Sequence, residues 1–587
     1  VTVPGGILPR SPAAEGTDPT TNPDLWGNAD LNCLNISAWD GPGASLGLFP
    51  AGGTENMRCS IDYGPFFSIQ EGELMHKFYS KAHYSLTDNL EVFVEGGFAE
   101  QEFYRRNSLA PQTRAPTIPV HNPALIDDAG RRGINPVALV NRSRLLGGTP
   151  RTPEHLRPIH TEQDGDRDTI RLVAGFTWDT YFGDKAWTLN GSFTSSQNSS
   201  FQFNVEDSRA AETVFALEGL GGPNCNYAGK DEAWRDANRG SGNQNYAGAG
   251  TFEDGDCYYL NPMGSGLFDA NNTFRDTWSN PHTIPCPDAS QPLCSRVDPT
   301  TGLLPTNISL ANPPELFNWL DGTWTQNDEY QQDVLDLVFA GDLFEMPAGM
   351  ASLAVGYQRR HDSMNRQYDI NFTQFNAAFR FGASNVRGEL TTNAQFVELA
   401  LPLLETLDLQ VAVRREDFKQ LNQSTTDPKI SVIWRPNDSF SGRLSWGQSF
   451  RVGSILQLVG PQTIVSNTDD PFADTSFFIP WISEGQPNLQ PEISEAFNIG
   501  ISWAPVEGMF EGFTVNADYW TYTYEDLITK QSAPAILFED GCARANARAA
   551  GGGLAAPSRC DRSSWFSGSA TAQVQSQVVR NANGAPV

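Results

Sequence analysis

The stretch EGQPNLQPEISEAFNIGISWAP, Glu484–Pro505, decides the fold. Pro487 and Pro491 flank Asn488 and Leu489, and beyond Glu492 the chain alternates apolar and polar residues. Proline fixes φ and donates nothing to a ladder, so a loop held by two prolines stops cleanly and strand pairing begins after it. Long loops feeding long strands need such a junction.

The alternation recurs. In DTIRLVAGFTW, Ile170, Leu172, Ala174, Phe176 and Trp178 fall on one side, and Arg171, Gly175 and Thr177 on the other. Leu407, Leu409, Val411 and Val413 oppose Asp408, Gln410 and Arg414; Leu444, Trp446 and Phe450 oppose Arg443, Ser445 and Ser449. Phe513, Val515, Ala517 and Tyr519 oppose Thr514, Asn516 and Asp518. This is the period of a sheet with two different environments. Short links near Asp88, Asp184, Pro347, Glu405 and Asn437 read as hairpin turns, whereas the connections at the other strand ends are long. Short turns on one side and long loops on the other are the asymmetry of outer-membrane barrels. A soluble sandwich shares the period, but several strands here run past ten residues, near what a tilted strand needs to cross a bilayer. Trp and Tyr near strand ends, among them Trp178, Tyr181, Trp434 and Trp503, fit interfacial girdles.

Composition narrows the classes. The chain has 587 residues, too many for one ordinary domain unless that domain is a very large sheet or barrel. Mean hydropathy is −0.39, and no window carries the run of apolar residues that a transmembrane helix requires. With 69 acidic and 40 basic residues the net charge is −29, which repels phosphate backbones, so no nucleic-acid partner is expected. Eight cysteines fall into four local couples: Cys33 with Cys59, Cys225 with Cys257, Cys286 with Cys294, and Cys542 with Cys560. Their even number in Gly/Asn/Pro-rich surroundings points to disulfides in an oxidising compartment, with connectivity left open. Zinc is the competing reading, disfavoured because there is no CxxC pair and no histidine at ligand spacing. DEYQQDVLD and EDGDC lack the EF-hand spacing, and GxSxG, HExxH and phosphate-loop motifs are absent. Neither catalysis nor a metal or other cofactor is expected.

EGQPNLQPEISEAFNIGISWAP resembles the junction of TonB-dependent outer-membrane receptors, where G-N-P-x-L-x-P-E closes an extracellular loop and feeds a barrel strand. Gly485, Pro487, Asn488, Leu489, Pro491 and Glu492 match, with Gln486 in place of Asn. QSFRVGSILQL is similar to the family's S-F-R-A-P-S-L-x-E-L, keeping Phe450, Arg451, Ser454 and Leu458; Val452 and Gly453 replace Ala-Pro, and Gln457 replaces the acid. Ala340–Arg360 looks like the receptor hairpin with a P-x-G turn, and the segments around Cys225 and Cys257 resemble the cysteine-bearing loops of larger members.

The resemblance implies an all-β, antiparallel transmembrane barrel with short periplasmic turns and long disulfide-bearing extracellular loops. It places an N-terminal extracellular loop region at 1–73, barrel strands at 74–528 with long loops at 105–168, 203–331 and 451–494, and at 529–587 an extracellular loop leading to a missing strand. Roughly 12 strands are legible against about 22 in the family. With no plug or TonB box legible in residues 1–70, the reading is of a barrel fragment whose edges cannot close. The implied function is active uptake of a scarce ligand, a siderophore, vitamin, metal chelate or oligosaccharide, in the outer membrane of a Gram-negative bacterium. The implied partners are TonB with ExbB and ExbD, through the missing N-terminal region, together with outer-membrane lipid and lipopolysaccharide. A plug-free porin or adhesin is one rival reading, and a secreted β-rich binding protein another.

For ligand contact the candidates are Phe472, Phe477, Phe478 and Trp481, beside Asp469, Asp470 and Asp474. Such aromatics either stack on a catechol or sugar or pack the loop against its neighbours. The arginines from Arg105 to Arg157 form the one basic stretch of an acidic chain, suited to an anionic ligand or to ion pairing with acidic loops or lipopolysaccharide.

Overall fold

The computed structural model describes residues 68–108, 116–126, 160–244, 256–262, 312, 314–473, 475–530 and 532–556, with short pieces at 7–9, 48–51, 58–61, 139–141, 273–274, 278–279, 283–285, 307–309, 558, 560 and 578. Its strands are β1 (Gly72–Thr87), β2 (Leu90–Ser108), β3 (His160–Phe182), β4 (Lys185–Ser208), β5 (Asp321–Met346), β6 (Gly349–Tyr368) and β7 (Val386–Leu404). They continue as β8 (Leu407–Phe418), β9 (Gln423–Asn437), β10 (Phe440–Arg451), β11 (Pro461–Asp470), β12 (Thr475–Glu484), β13 (Glu492–Trp503) and β14 (Val515–Glu525). The helices are α1 (Ala210–Leu217), α2 (Glu232–Asn238), α3 (Pro314–Leu320), α4 (Ile370–Thr373), α5 (Ile455–Val459) and α6 (Ala533–Ala550). None of the described helices is long and apolar enough to cross a membrane.

Twelve strands form one antiparallel sheet in the order β14-β13-β10-β9-β8-β7-β6-β5-β4-β3-β2-β1, while β11 and β12 pair separately as a hairpin. Consecutive strands pair as neighbours except where that hairpin intervenes. Among the described residues the edge strands β1 and β14 do not pair with each other.

Register explains why the apolar sets recur. Residues directly opposite in an antiparallel pair share a face, so aligned apolar positions build a stripe. Leu401, Leu409, Val432, Leu444, Ile499 and Tyr519 lie in one row across six strands. Ala174, Phe193 and Leu335 are aligned in the same way across β3, β4 and β5. This face is uncovered: Leu172 is 57% and Val411 40% exposed. On β5 the apolar set runs from Leu335 to Phe344, about 30 Å along the strand and about 23 Å at a tilt of about 40°. That matches the apolar band of an outer-membrane barrel.

The opposite face is polar and cross-linked. Glu95 lies 3.0 Å from Lys81 and 3.5 Å from Arg171. Gln358 donates to Asp336 at 2.7 Å and accepts from Arg414 at 3.0 Å. Arg443 grips Asp518, with Nε 3.0 Å from Oδ1.

β5, at 26 residues, extends well beyond the apolar stripe. Past the stripe both faces turn polar: Ser195 donates to Asp333 at 2.6 Å and Gln197 to Glu329 at 2.8 Å. At the turn end, aromatic residues gather in groups, with half-buried Trp187 stacked on Phe339 at 4.6 Å and edge-on to exposed Phe182 at 5.9 Å. The covered core lies at the other end. Ile118, Leu125, Leu217, Leu260, Leu316 and Leu320 form a buried cluster drawn from two connections, β2–β3 and β4–β5.

Candidate functional site

Phe450 and Arg451 end β10, and Glu492 begins β13 directly opposite Arg451. The guanidinium and carboxylate meet in a forked pair, with Nη2 donating to Oε1 at 2.8 Å and Nε bonded to Oε2. The same carboxylate accepts the Ile528 N–H, so one residue ties together two strand ends and the chain leaving β14.

Ser454 caps α5 in a capping box completed by Gln457, which donates its backbone N–H to the Ser454 side chain and whose own side chain accepts the Ser454 N–H. An amide serves this motif as well as the acid that the family pattern carries there. The Gln457 carbonyl accepts the Gln486 N–H at 2.8 Å, clamping the loop onto the helix. At Gly485 a Cβ would sit 2.5 Å from Gly460 N and 2.7 Å from Leu458 O, so glycine is required by backbone approach. Leu489 reaches toward Gly453, where a Cβ would lie 3.1 Å from its Cδ1. The motif residues thus work as a mechanical junction at the loop end of the sheet.

Of the four aromatic candidates, Phe472 and Trp481 are engaged inside the loop layer. Trp481 Nε1 donates to Ser466 Oγ at 2.9 Å across the β11–β12 hairpin. Arg548 of α6 lies 4.9 Å from the Phe472 ring centre and donates to the Phe472 carbonyl at 3.1 Å. Phe477 and Phe478 fall in β12; their side chains, and Asp474, lie outside the described residues.

Helix α6 stands in the segment read as a plain loop. Its sequence, APAILFEDGCARANARAA, is alanine-rich, Ser532 caps it and proline sits in the first turn, which together explain the helix. It docks closely: a Cβ at Gly541 would meet Asp470 Oδ1 at 2.6 Å. Cys542 and Cys560 form a disulfide beside it.

A second disulfide, Cys225–Cys257, pins the connection between β4 and β5. Around it, buried Asn122 donates to the Leu217 and Leu260 carbonyls at 3.0 and 3.1 Å, and Asn312 donates to Asn261 O at 2.7 Å. Arg239 contacts Glu218, Glu232 and Asp236 at 2.8–3.0 Å. His121 Nε2 lies 3.1 Å from Glu218 Oε2, an ion pair by distance whose angle falls short of hydrogen-bond geometry. These neighbours hold the Glu218 carboxyl below the usual range, His121 contributing most and Arg239 less, against the opposing effect of burial. Cys33, Cys286 and Cys294 lie outside the described residues, as do the side chains of Cys59 and Arg106 and the arginines from Arg114 to Arg157. Arg105 is described and pairs with Glu71 at 3.3 Å.

The sequence reading missed the upper rows of the polar face. There Asp328 is buried and takes both arms of Arg366, at 2.7 and 2.8 Å. Alternation marked the face, but only register shows which residues meet.

No curated protein sequence matches the chain. Solved structures that the chain matches include the ferric preacinetobactin receptor BauA of Acinetobacter baumannii, at 10% identity over 78% of this chain and 46% of that one, with a TM-score of 0.32. The siderophore receptor PirA of Pseudomonas aeruginosa gives 9%, 77%, 55% and 0.26, and the RagAB peptide transporter 10%, 79%, 42% and 0.34. The chain spans about half the length of each of these structures. The family model described as TonB dependent receptor-like, beta-barrel, matches residues 120–577, and the chain belongs to that family.

Proposed function

We propose that the chain forms barrel wall and extracellular loops of an outer-membrane receptor that imports a scarce ligand, a siderophore, vitamin, metal chelate or oligosaccharide, with energy delivered by TonB, ExbB and ExbD. The observation that carries this reading is the apolar stripe in register across the sheet, backed by a polar, hydrogen-bonded face. Lipid covers the first face, and an aqueous lumen wets the second. Lipid cannot satisfy the outer backbone edges of β1 and β14, which pair with no further strand among the described residues, so on this reading both edges are covered in the membrane. The loop end faces outward, where disulfides persist and lipopolysaccharide abuts the wall.

The test places a single fluorophore-labelled cysteine at Leu172 or Val411, and at Gln410 as a polar-face control, in the full-length receptor reconstituted with brominated lipid. Quenching at the first two positions and not at the third is expected; equal quenching at all three would sink the membrane reading. Transport is tested separately, by comparing accumulation of a panel of chelates, vitamins and oligosaccharides in cells with and without TonB. Accumulation unaffected by TonB would leave a passive wall.

A further inference from the structure

On the polar face near the loop end, Arg105, Gln163, Asn204 and Trp324 stand in one row across β2, β3, β4 and β5. Asn204 is 8% exposed, and among the described residues its amide nitrogen finds no hydrogen-bond partner. A buried donor is ordinarily satisfied, so an orphan calls for an acceptor from outside the chain.

A second group shares the neighbourhood. Arg380, from the loop between β6 and β7, holds its guanidinium 5.6 Å from the ring centre of Trp324, the register partner of Asn204. The backbone around it is anchored by buried Asp207, which accepts the Phe379 and Arg380 N–H groups at 3.0 and 3.1 Å and the Ser208 N–H at 2.8 Å. That carboxylate is committed to main chain, and among the described residues no carboxylate lies within ion-pair distance of the Arg380 guanidinium.

Farther along the same face, the Arg167 guanidinium rests 5.0 Å from the Phe103 ring centre, also without a carboxylate partner among the described residues. Its row continues through Ser200 and Asp328 to Arg366, where Asp328 is already taken by Arg366. The contrast is with Arg171, Arg366, Arg414, Arg443 and Arg451 on the same face, all of which are ion-paired. An aromatic ring fixes a guanidinium plane while leaving its N–H edge free, and that edge suits a carboxylate or phosphate.

We propose that this part of the polar face is an oxyanion subsite, in which Arg380 and the Asn204 amide hold a carboxylate or phosphate of the imported ligand and Arg167 makes a further contact along the wall. The inference rests on the reading of the chain as an importer with an aqueous lumen. It gives the acidic chain a local site for an anion, and it assigns that site to the wall instead of to the aromatic hairpin.

The experiment titrates citrate and, separately, inorganic phosphate into the full-length receptor in detergent by calorimetry, at low and high sodium chloride. Citrate or phosphate should bind, more weakly as salt rises, and the tighter of the two identifies the anion class. Arg380→Gln should weaken binding about tenfold and Arg167→Gln about threefold, with Asn204→Ala between them, while Arg443→Gln, whose partner is Asp518, leaves it unchanged. If neither anion binds the unsubstituted receptor, or if Arg380→Gln binds as tightly, the subsite is overturned. Binding in detergent needs no energy source. A receptor that binds citrate but accumulates nothing in a TonB-dependent way would refute the importer reading alone, and transport indifferent to these substitutions would refute the subsite alone.

Discussion

At the turn end of the sheet Tyr181, Phe182 and Trp434 are 70%, 60% and 47% exposed, while at the loop end Leu217, Leu260 and Leu316 are fully buried. Both sets are large apolar side chains; what covers them differs. Loop-end side chains are covered by other parts of the chain, held by the Cys225–Cys257 bridge and the Asn122 hydrogen bonds. Turn-end and stripe side chains are covered by no described part of the protein, so on the membrane reading their environment is lipid and its interface. On that reading one molecule contains an ordinary protein core and a surface whose solvent is hydrocarbon.

The largest expected effects break this comparison directly. Leu217→Ala removes contacts in a close-packed site and should destabilise the loop unit by about 2–5 kcal/mol. Leu172→Ala, in the stripe, should cost less than about 1 kcal/mol, because lipid or detergent refills the space. Leu172→Arg, a charge on that face, narrows the gap, with a cost of about 2–4 kcal/mol. Denaturant unfolding in vesicles, with separate probes on the loops and the strands, would measure all three. A Leu172→Arg variant that folds into vesicles as readily as the parent would mean that lipid does not contact the stripe.

Removing the bridge by Cys225→Ser with Cys257→Ser should cost the loop unit about 2–4 kcal/mol, since it closes a separation of 32 residues. The strands should melt unchanged, because no ladder depends on that link. A common shift in both transitions would show that the loop unit and the wall fold as one cooperative body.

Two glycines sharpen the contrast at single-residue scale. Gly485→Ala forces a methyl group against the Gly460 and Leu458 backbone and should cost about 1–3 kcal/mol. Gly183, in the β3–β4 turn, has φ +68° with open space around it, so Gly183→Ala is limited to the left-handed backbone cost of about 1 kcal/mol. Thermal midpoints of the two variants test the order; a larger loss at Gly183 would contradict the close approach at Gly485.

The wall was legible in the sequence because its two environments impose a period of two. The sets Ile170–Trp178 and Leu407–Val413 fall on one face, as their alternation requires. The junction was legible because prolines and glycines declare backbone constraints locally. The loop end was not, for a physical reason. Its core joins Leu125, Leu217 and Leu316 from segments far apart in the sequence, and the orphaned amide of Asn204 depends on cross-strand register. Neither relation leaves a local period. Helix α6 did carry a signal, its run of alanines behind Ser532 and Pro534, which the loop assignment overlooked.

The smallest effect concerns acid. Glu218 is held by His121 and Arg239 at the junction of the first loop with the α1–α2 segment, and its carboxyl is depressed in the folded state. A depressed carboxyl contributes stability above its unfolded value of about 4.3 and loses it as pH falls through the lower folded value. The loop unit should therefore weaken below about pH 5, and Glu218→Gln should flatten that part of the profile while lowering stability at neutral pH. Glu218 is partly exposed, so solvent screening keeps the effect below those of the core and disulfide variants. The wall should show no matching change, since the Glu218 contacts lie wholly within the loop unit. The measurement is the loop transition between pH 7 and pH 4 in parent and variant. Parallel profiles would place the acid sensitivity elsewhere, and a variant more stable than the parent at pH 7 would mean that burying Glu218 costs more than His121 and Arg239 return.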